Sequence, residues 1–247
     1  FTLGGDVLLD VSGTSTGVFE YDPSGNLVKD GLNRLEFSYN CLNLMQTAET
    51  ASGALKAQFT YGSDGRKLSE KARTGGFEYL GSLIYAYRGG TLSLAQAVTD
   101  EGMIQSAGVN YFIRDHLGSV RAVVDHTGKI VERNDYYPFG GRHENASLPL
   151  TGVNRYKFGG KETLEPVSLD MLDFGARFYD PRIARWNTQD PLAEKYFSLS
   201  PYNYCAGNPI TLVDPTGMFM TDYFNLNGKK VRHVDDNKTD RYLVLTT

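Results

Sequence analysis

Apolar and aromatic residues alternate with polar ones in short runs, and each run stops at a turn signal. Val18-Phe-Glu-Tyr21 leads into Asp22-Pro-Ser-Gly25, and Asn26-Leu-Val28 leads out again. Ala57-Gln-Phe-Thr-Tyr61, Gly62-Ser-Asp-Gly65 and Arg66-Lys-Leu68 repeat the arrangement. Alternation over so few residues is the period of a half-buried strand rather than of a helix. In both segments a tyrosine is followed four positions later by glycine, Tyr21 by Gly25 and Tyr61 by Gly65. Between them, Leu35-Glu-Phe-Ser-Tyr39 is followed by Asn43, the other residue that tolerates a positive φ. The three tyrosines lie 18 and 22 residues apart, which marks an internal repeat.

Each unit predicts a β-hairpin, with Pro presetting φ at one turn position and Gly or Asn supplying a left-handed residue at another. A lone hairpin is marginal in water, so neighbours must stack edge to edge into one continuous sheet. Asn110–Val131 predicts two more hairpins, with turns at His116–Ser119 and Asp125–Gly128. Helix signals are sparse. Ser93–Val98 predicts a short helical or irregular turn, and Asp190–Tyr196 one helical turn capped by Asp190, with Pro191 at its first position. A β-sandwich whose turns happen to look alike is the competing architecture; the recurring tyrosine-to-glycine offset favours the repeat.

Composition narrows the picture further. The 247 residues, 40% of them hydrophobic, suit one large β domain or two small ones. Sixteen Tyr and 13 Phe fit pleated, half-buried surfaces, and 27 Gly call for many turns. A net charge of −4 supplies no basic field for nucleic acid. The one compact basic run, Lys229, Lys230, Arg232 and His233, is followed by acids and reads as a solvated face. Cys41 and Cys205 match no metal spacing, and leave open either one disulfide or two buried free thiols. His116, His126, His143 and His233 stand far apart, so neither a metal nor a cofactor is expected. No run approaches the roughly 20 apolar residues that cross a bilayer, and no leader opens the chain. It starts mid-pattern at Phe1, as a piece of a longer protein would.

From residue 110 onward a series of short motifs accumulates. They are Asp115-His-Leu-Gly-Ser-Val-Arg121, Tyr136-Tyr-Pro-Phe-Gly-Gly141, Phe158-Gly-Gly-Lys-Glu162, Gly175-Ala-Arg-Phe-Tyr-Asp-Pro181 and Arg185-Trp186. Gln189-Asp-Pro191, Ser200-Pro-Tyr-Asn-Tyr204, Asn208-Pro209 and Val213-Asp-Pro-Thr-Gly-Met218 follow. Each alone is weak, but together and in this order they resemble the Rhs repeat-associated core, and Tyr21-Asp-Pro-Ser-Gly25 resembles a YD repeat. The chain is therefore similar to Rhs/YD-repeat proteins. The resemblance implies an all-β fold, in which stacked β-hairpin repeats form a curved or spiralling sheet closed by the core as a plug. It divides the chain into YD repeats (1–109), the Rhs-associated core (110–218) and the start of a variable C-terminal cargo region (219–247). Such shells occur in bacterial polymorphic toxins and in the C component of insecticidal toxin complexes, and related shells occur in animal teneurins. The implied partners are the chain's own C-terminal toxin or cargo and a secretion apparatus or another shell component, and the implied location is outside the cell or on its surface.

The resemblance also carries chemistry. Members that cleave themselves do so after Asp-Pro-x-Gly-Leu, which here is Asp214-Pro-Thr-Gly-Met218, so the expected cut lies between Met218 and Phe219. Met for Leu is a small change in volume. The matching acids are Asp190 and Asp214, with Arg177 as a nearby cation. Two carboxylates in one site do not both ionise easily, so one keeps a proton to polarise the carbonyl while the other activates water. Arg177 would hold an acid or steady the developing oxyanion. At most this is an intramolecular aspartyl autoprotease with no external substrate. The residues alone are equally served by a plain reading, with Asp190 capping a turn, Asp214 opening one, and Arg177 in a structural ion pair.

Other motifs fall short. Asp115-His116 lacks a Gly-x-Ser-x-Gly partner, and Lys161-Glu162 after two glycines lacks the rest of a phosphate loop and reads as a sheet-edge turn. The 29 residues after Met218 predict strands at Tyr223–Leu226, Lys229–Val234 and Arg241–Leu245, too little for an enzyme of their own. The alternative to a self-processing shell is a structural or cell-surface YD-repeat protein that contacts glycans and cuts nothing.

Overall fold

Fourteen antiparallel strands follow one another in chain order across a single sheet. The computed structural model describes residues 6–9, 15–143, 154–164, 167, 169–195, 197–218, 223–224 and 230–232. The strands begin with β1 (Asp6–Leu9), β2 (Ser15–Tyr21), β3 (Leu27–Asp30), β4 (Leu35–Tyr39) and β5 (Met45–Thr50). They continue with β6 (Leu55–Tyr61), β7 (Lys67–Ala72), β8 (Gly75–Leu80), β9 (Leu83–Arg88) and β10 (Thr91–Thr99). The last four are β11 (Gly102–Gln105), β12 (Gly108–Arg114), β13 (Val120–Asp125) and β14 (Ile130–Arg133). The sheet runs through residue 110, where the sequence placed a domain boundary, without a break in pairing.

Turn chemistry sets the register. Gly25, Asn43 and Gly65 sit at φ +78°, +59° and +80°. Around the first of them, the Gly25 N–H donates to Asp22 O and the Asp22 N–H to Asn26 O, both at 2.9 Å. That is a three-residue loop closed by a left-handed residue, and pairing slips by one at the tyrosine that precedes it. The same slip recurs at Tyr39 and Tyr61. Asp22 Oδ1 accepts the N–H groups of Ser24 and Asn26, and Asn40 Oδ1 those of Leu42 and Leu44. Asp115, between β12 and β13, and Asp125, at the end of β13, do the same. A side chain at Gly25 would have to occupy the space of the Gln189 side chain, 2.1 Å from an added Cβ.

Ser93–Val98, expected as a helical or irregular turn, lies inside strand β10. Its pairing with β9 shifts between Leu94 and Gln96, and this bulge interrupts the alternation that would have marked a strand. Around Asp190 a single 3-10 turn forms at Ala193–Lys195, with the Leu192 N–H donating to Asp190 Oδ1 at 2.7 Å.

One face of the sheet is covered. Phe19, Leu27, Leu35, Phe37, Met45, Ala48, Ala57 and Phe59 point to it and pack against Leu164, Val167, Leu169, Met171 and Phe178 of the core region. That region forms a small four-stranded sheet, β15 (Glu162–Thr163), β16 (Leu172–Asp173), β17 (Phe178–Asp180) and β18 (Arg185–Trp186). Beyond it, β19 (Tyr223–Phe224) pairs with β20 (Lys230–Arg232) within the two strands expected there; the linking turn and Arg241–Leu245 lie outside the described residues.

Polar contacts lock the core region onto the wall. Lys67 Nζ lies 2.9 Å from Glu162, 2.6 Å from Asp173 and 3.2 Å from Glu70. Arg155 bridges Glu70 at 2.8 Å and Glu162 at 3.2 Å, and the Tyr79 hydroxyl donates to Glu162 at 3.1 Å. Burial raises the pKa of Glu70; burial opposes ionisation of Glu162 too, but Lys67 and Arg155 outweigh it and hold that carboxyl below its ordinary value.

The repeat tyrosines tie hairpin to hairpin. The Tyr39 hydroxyl donates to Leu27 O and the Tyr61 hydroxyl to Met45 O, both at 2.8 Å, and the Tyr136 hydroxyl to Val120 O at 2.9 Å. Each acceptor stands two positions after the left-handed residue of an earlier turn (Gly25, Asn43, Gly118). Tyr39 also accepts from Asn187 Nδ2 at 3.2 Å, so one hydroxyl joins two hairpins and the core region. Tyr39→Phe should therefore cost about 1–2 kcal/mol, because a buried carbonyl and an amide each lose a partner. Urea unfolding at unchanged m-value would show it, and no loss of stability would refute the tie.

Candidate functional site

The cleft that collects the expected site residues is built from three loops leaving the small sheet. Arg177 stands immediately before β17, Asp190 follows β18, and Asp214 opens the turn ending at Met218. Beneath them Phe158, Phe174, Tyr179, Trp186, Tyr204 and Leu212 form an aromatic floor, with ring centroids of Tyr179 and Tyr204 4.3 Å apart. The Arg177 guanidinium lies over the Trp186 ring at 4.2 Å, so a buried cation is stacked on a fixed π-face.

Arg177 joins both acids. Its Nη2 donates to Asp190 Oδ2 at 3.0 Å and to Asp214 Oδ2 at 3.3 Å. Its Nη1 donates to Pro201 O at 3.2 Å, and its Nε to Gly217 O, the carbonyl one residue before that of Met218. Burial pulls the guanidinium below its ordinary pKa, while Asp190 and Asp214 push it back up. A side chain of this kind keeps its charge regardless. One cationic nitrogen thus binds an oxygen of each acid.

The two acids differ in surroundings. Asp214 Oδ1 accepts N–H bonds from Thr216, Gly217 and Met218 at 3.1, 2.7 and 3.1 Å, and its side chain is 3% exposed. Asp190 is 14% exposed, spends Oδ1 on Leu192, and lines a small cleft with Ser200, Asn203 and Cys205. That cleft has about 20 Å³ of space for water centres, room for a single water molecule.

The turn at Asp214 duplicates the one at Asp22. Asp22-Pro-Ser-Gly-Asn26 and Asp214-Pro-Thr-Gly-Met218 share their spacing, the N–H bonds to Oδ1 from the second and fourth following residues, and a glycine at φ +78° or +76°. At the first turn Gly25 O accepts the Tyr202 hydroxyl at 2.8 Å; at the second Gly217 O accepts Arg177 Nε. The plain reading of Asp214 as a turn opener and the chemical reading thus describe one structure. The surroundings differ, and so does one bond of the turn: the Gly25 N–H donates to Asp22 O, the Gly217 N–H to Asp214 Oδ1.

Sequence reasoning missed Trp186 as the support of Arg177, and it missed Cys205. That thiol faces the cleft beside Asp214, and burial first of all, then the neighbouring carboxylate, raises its pKa. Neither expectation for the cysteines holds fully: both are free, but Cys41 is exposed and only Cys205 is buried. No signal in the sequence separates them, since both adjoin Asn or Tyr in polar turns.

The family model for the Teneurin YD-shell matches residues 6–205. Salivary gland surface protein 1 of Aedes aegypti is 38% identical over 104 residues, 42% of this chain and 3% of that protein. Toxin subunit YenC2 of Yersinia entomophaga is 31% identical over 106 residues, 42% of this chain and 10% of its own length. The crystal structure of TcdB2–TccC3–Cdc42 superposes with a TM-score of 0.66 at 20% identity, over 80% of this chain and 11% of the other, a likeness of fold. The chain thus spans a small part of the relatives it matches.

The cysteines give a simple check on the site's packing. Iodoacetamide at pH 8 should label Cys41 alone in the folded chain and both thiols after unfolding, because the thiolate is the reactive form. Equal labelling of both in the native state, seen by peptide mass spectrometry, would contradict the buried placement of Cys205.

Proposed function

The chain belongs to the Teneurin YD-shell family, and on that premise we propose that it forms part of a shell that encloses and presents the polypeptide continuing beyond Met218, and that it cuts this polypeptide free once, between Met218 and Phe219. The cargo is the C-terminal toxin region of the same protein, and the wall works outside the producing cell with other shell or delivery components. Among the described residues no helix is long and apolar enough to cross a membrane. Toxin subunit YenC2 is a relative whose name supports a part in a toxin.

The observation that carries the cleavage reading is the placement of Arg177. One guanidinium binds both acids and the Gly217 carbonyl, one residue before the carbonyl of the expected cut. In the reaction, Asp190 takes a proton from a water molecule, for which its cleft has room, as that water's oxygen attacks the Met218 carbonyl carbon. Arg177 stabilises the charge growing on the carbonyl oxygen. The C–N bond to Phe219 then breaks, and the proton passes to the departing nitrogen. The products are a carboxylate on Met218 and an amine on Phe219. Asp214, fixed by three N–H donors, keeps the turn and Arg177 in place. Because the substrate is the chain itself, proximity replaces a strong nucleophile and one turnover is enough.

A second reading has its own support: the turn at Asp22 shows that Asp-Pro-x-Gly can be purely structural, and salivary gland surface protein 1 is a surface protein by name. Under it the wall is intact and adhesive. Intact-mass analysis of the whole protein separates the two. Self-processing predicts a new amino terminus at Phe219 and none at Leu27, the bond after the equivalent turn. Asp190→Asn and Asp214→Asn should abolish the cut over the same period, and Arg177→Met should slow it about 10²–10³-fold, as loss of an oxyanion donor does. A wild-type protein that stays uncut indefinitely would establish the adhesive alternative.

A further inference from the structure

Three successive carbonyls before the expected cut are held. Pro215 O accepts from Lys161 Nζ, Thr216 O from the Ala176 N–H at 3.1 Å, and Gly217 O from Arg177 Nε. Two of these donors come from the Gly175-Ala-Arg177 segment. The third belongs to a different element, the residue that follows the turn Phe158–Gly160 and precedes β15. Proline has no backbone N–H, so the carbonyl is the only backbone group by which the 215 position can be gripped.

Lys161 suits that task. It is half-buried, and its ammonium sits over the Phe174 ring at 5.3 Å. Burial lowers its pKa, Asp173 and Asp214 act against the lowering, and Arg114 adds to it. The next residue, Glu162, is bound to the wall, its carboxylate meeting Lys67 at 2.9 Å and the Tyr79 hydroxyl at 3.1 Å, and within the core region it meets Arg155 at 3.2 Å. Neighbouring residues in an extended segment project to opposite sides. The Lys161-Glu162 pair therefore has one side chain on the cleavage turn and the other on the main sheet. It is not an idle sheet-edge turn.

We propose that Lys161 is a positioning residue for self-cleavage: by fixing the Pro215 carbonyl it holds the Asp214–Met218 turn in place against Arg177. Glu162 anchors Lys161 in turn, so the turn is set correctly only while the core region is seated on the wall. The inference rests on the cleavage reading above, and adds to it a residue outside the two acids and the arginine.

The test follows cleavage of the whole protein in time, by intact mass, for wild type, Lys161→Met and Lys161→Arg, with melting temperatures for each. Lys161→Met should slow the cut about 10- to 100-fold, the scale of a misplaced reacting group, while Lys161→Arg, which keeps a cationic donor, should stay within a few fold of wild type. In an Asp190→Asn background, which keeps the chain whole, Lys161→Met should also speed hydrogen exchange at the Gly217 and Met218 amides. Wild-type cleavage with an equally fast Lys161→Met protein overturns this inference alone. A slow Lys161→Arg protein whose turn amides exchange normally overturns it too. If Lys161→Met melts early, the arginine variant decides. A wild type that never cuts removes the cleavage reading itself, and with it this role.

Discussion

A hydroxyl reaching back to a neighbour's carbonyl is the contact on which the wall depends. A hairpin closed by a three-residue loop slips its register by one, and that slip falls at the tyrosine before the turn, whose backbone still pairs across the hairpin while its hydroxyl reaches the strand after an earlier turn. The ring fills the covered face and the hydroxyl satisfies a carbonyl that the interrupted ladder would otherwise leave without a donor. The turns at Gly25, Asn43 and Gly118 each make the acceptor for a following tyrosine. Because the tie runs between units, the sheet gains cooperativity with every added hairpin, although none would stand alone.

Two kinds of seam join the sheet to the region that covers it. One is apolar, with Phe59 edge-on to Phe178 at 5.2 Å; the other is ionic, with Lys67, Glu70, Arg155, Glu162 and Asp173 gathered away from water. Burying charges costs desolvation that their attraction barely offsets, so the ionic seam does less for stability than for uniqueness. An apolar seam tolerates sliding; five charges and a phenol fit in one arrangement only. The cleft at Arg177 needs that uniqueness, because its parts come from segments far apart in sequence.

Much of the wall could be read from the chain because its signals are local. The tyrosine-to-glycine offset, the Asp or Asn that opens several of the turns and the alternation in β4 all act within a few residues, and Gly25, Asn43 and Gly65 took the left-handed positions their residue types suggested, whereas Arg34, Ala184, Cys205 and Ala206 are left-handed with no such signal. Reading failed where distant contacts outweigh local pattern. In β7 Leu68 is exposed and Glu70 is wholly buried, the reverse of what polarity dictates, because Arg155 and Lys67 await the carboxylate. Ser93–Val98 was obscured by a bulge. At the cleft, Asp190, Asp214 and Arg177 could be named only through resemblance. Lys161 was passed over because its partner is 54 residues away and is a backbone carbonyl, which leaves no trace in a motif.

The two Asp-Pro-x-Gly turns bear on how such walls diversify. If an Asp-Pro-x-Gly turn can serve as scaffold in one place and as substrate in another, acquiring or losing a processing step calls for little new backbone, only for a change among the side chains in and around the turn. Relatives that superpose closely could then differ in whether they release what they carry, and overall shape would not reveal the difference. Inheritance of the architecture and inheritance of the scissors are separate events.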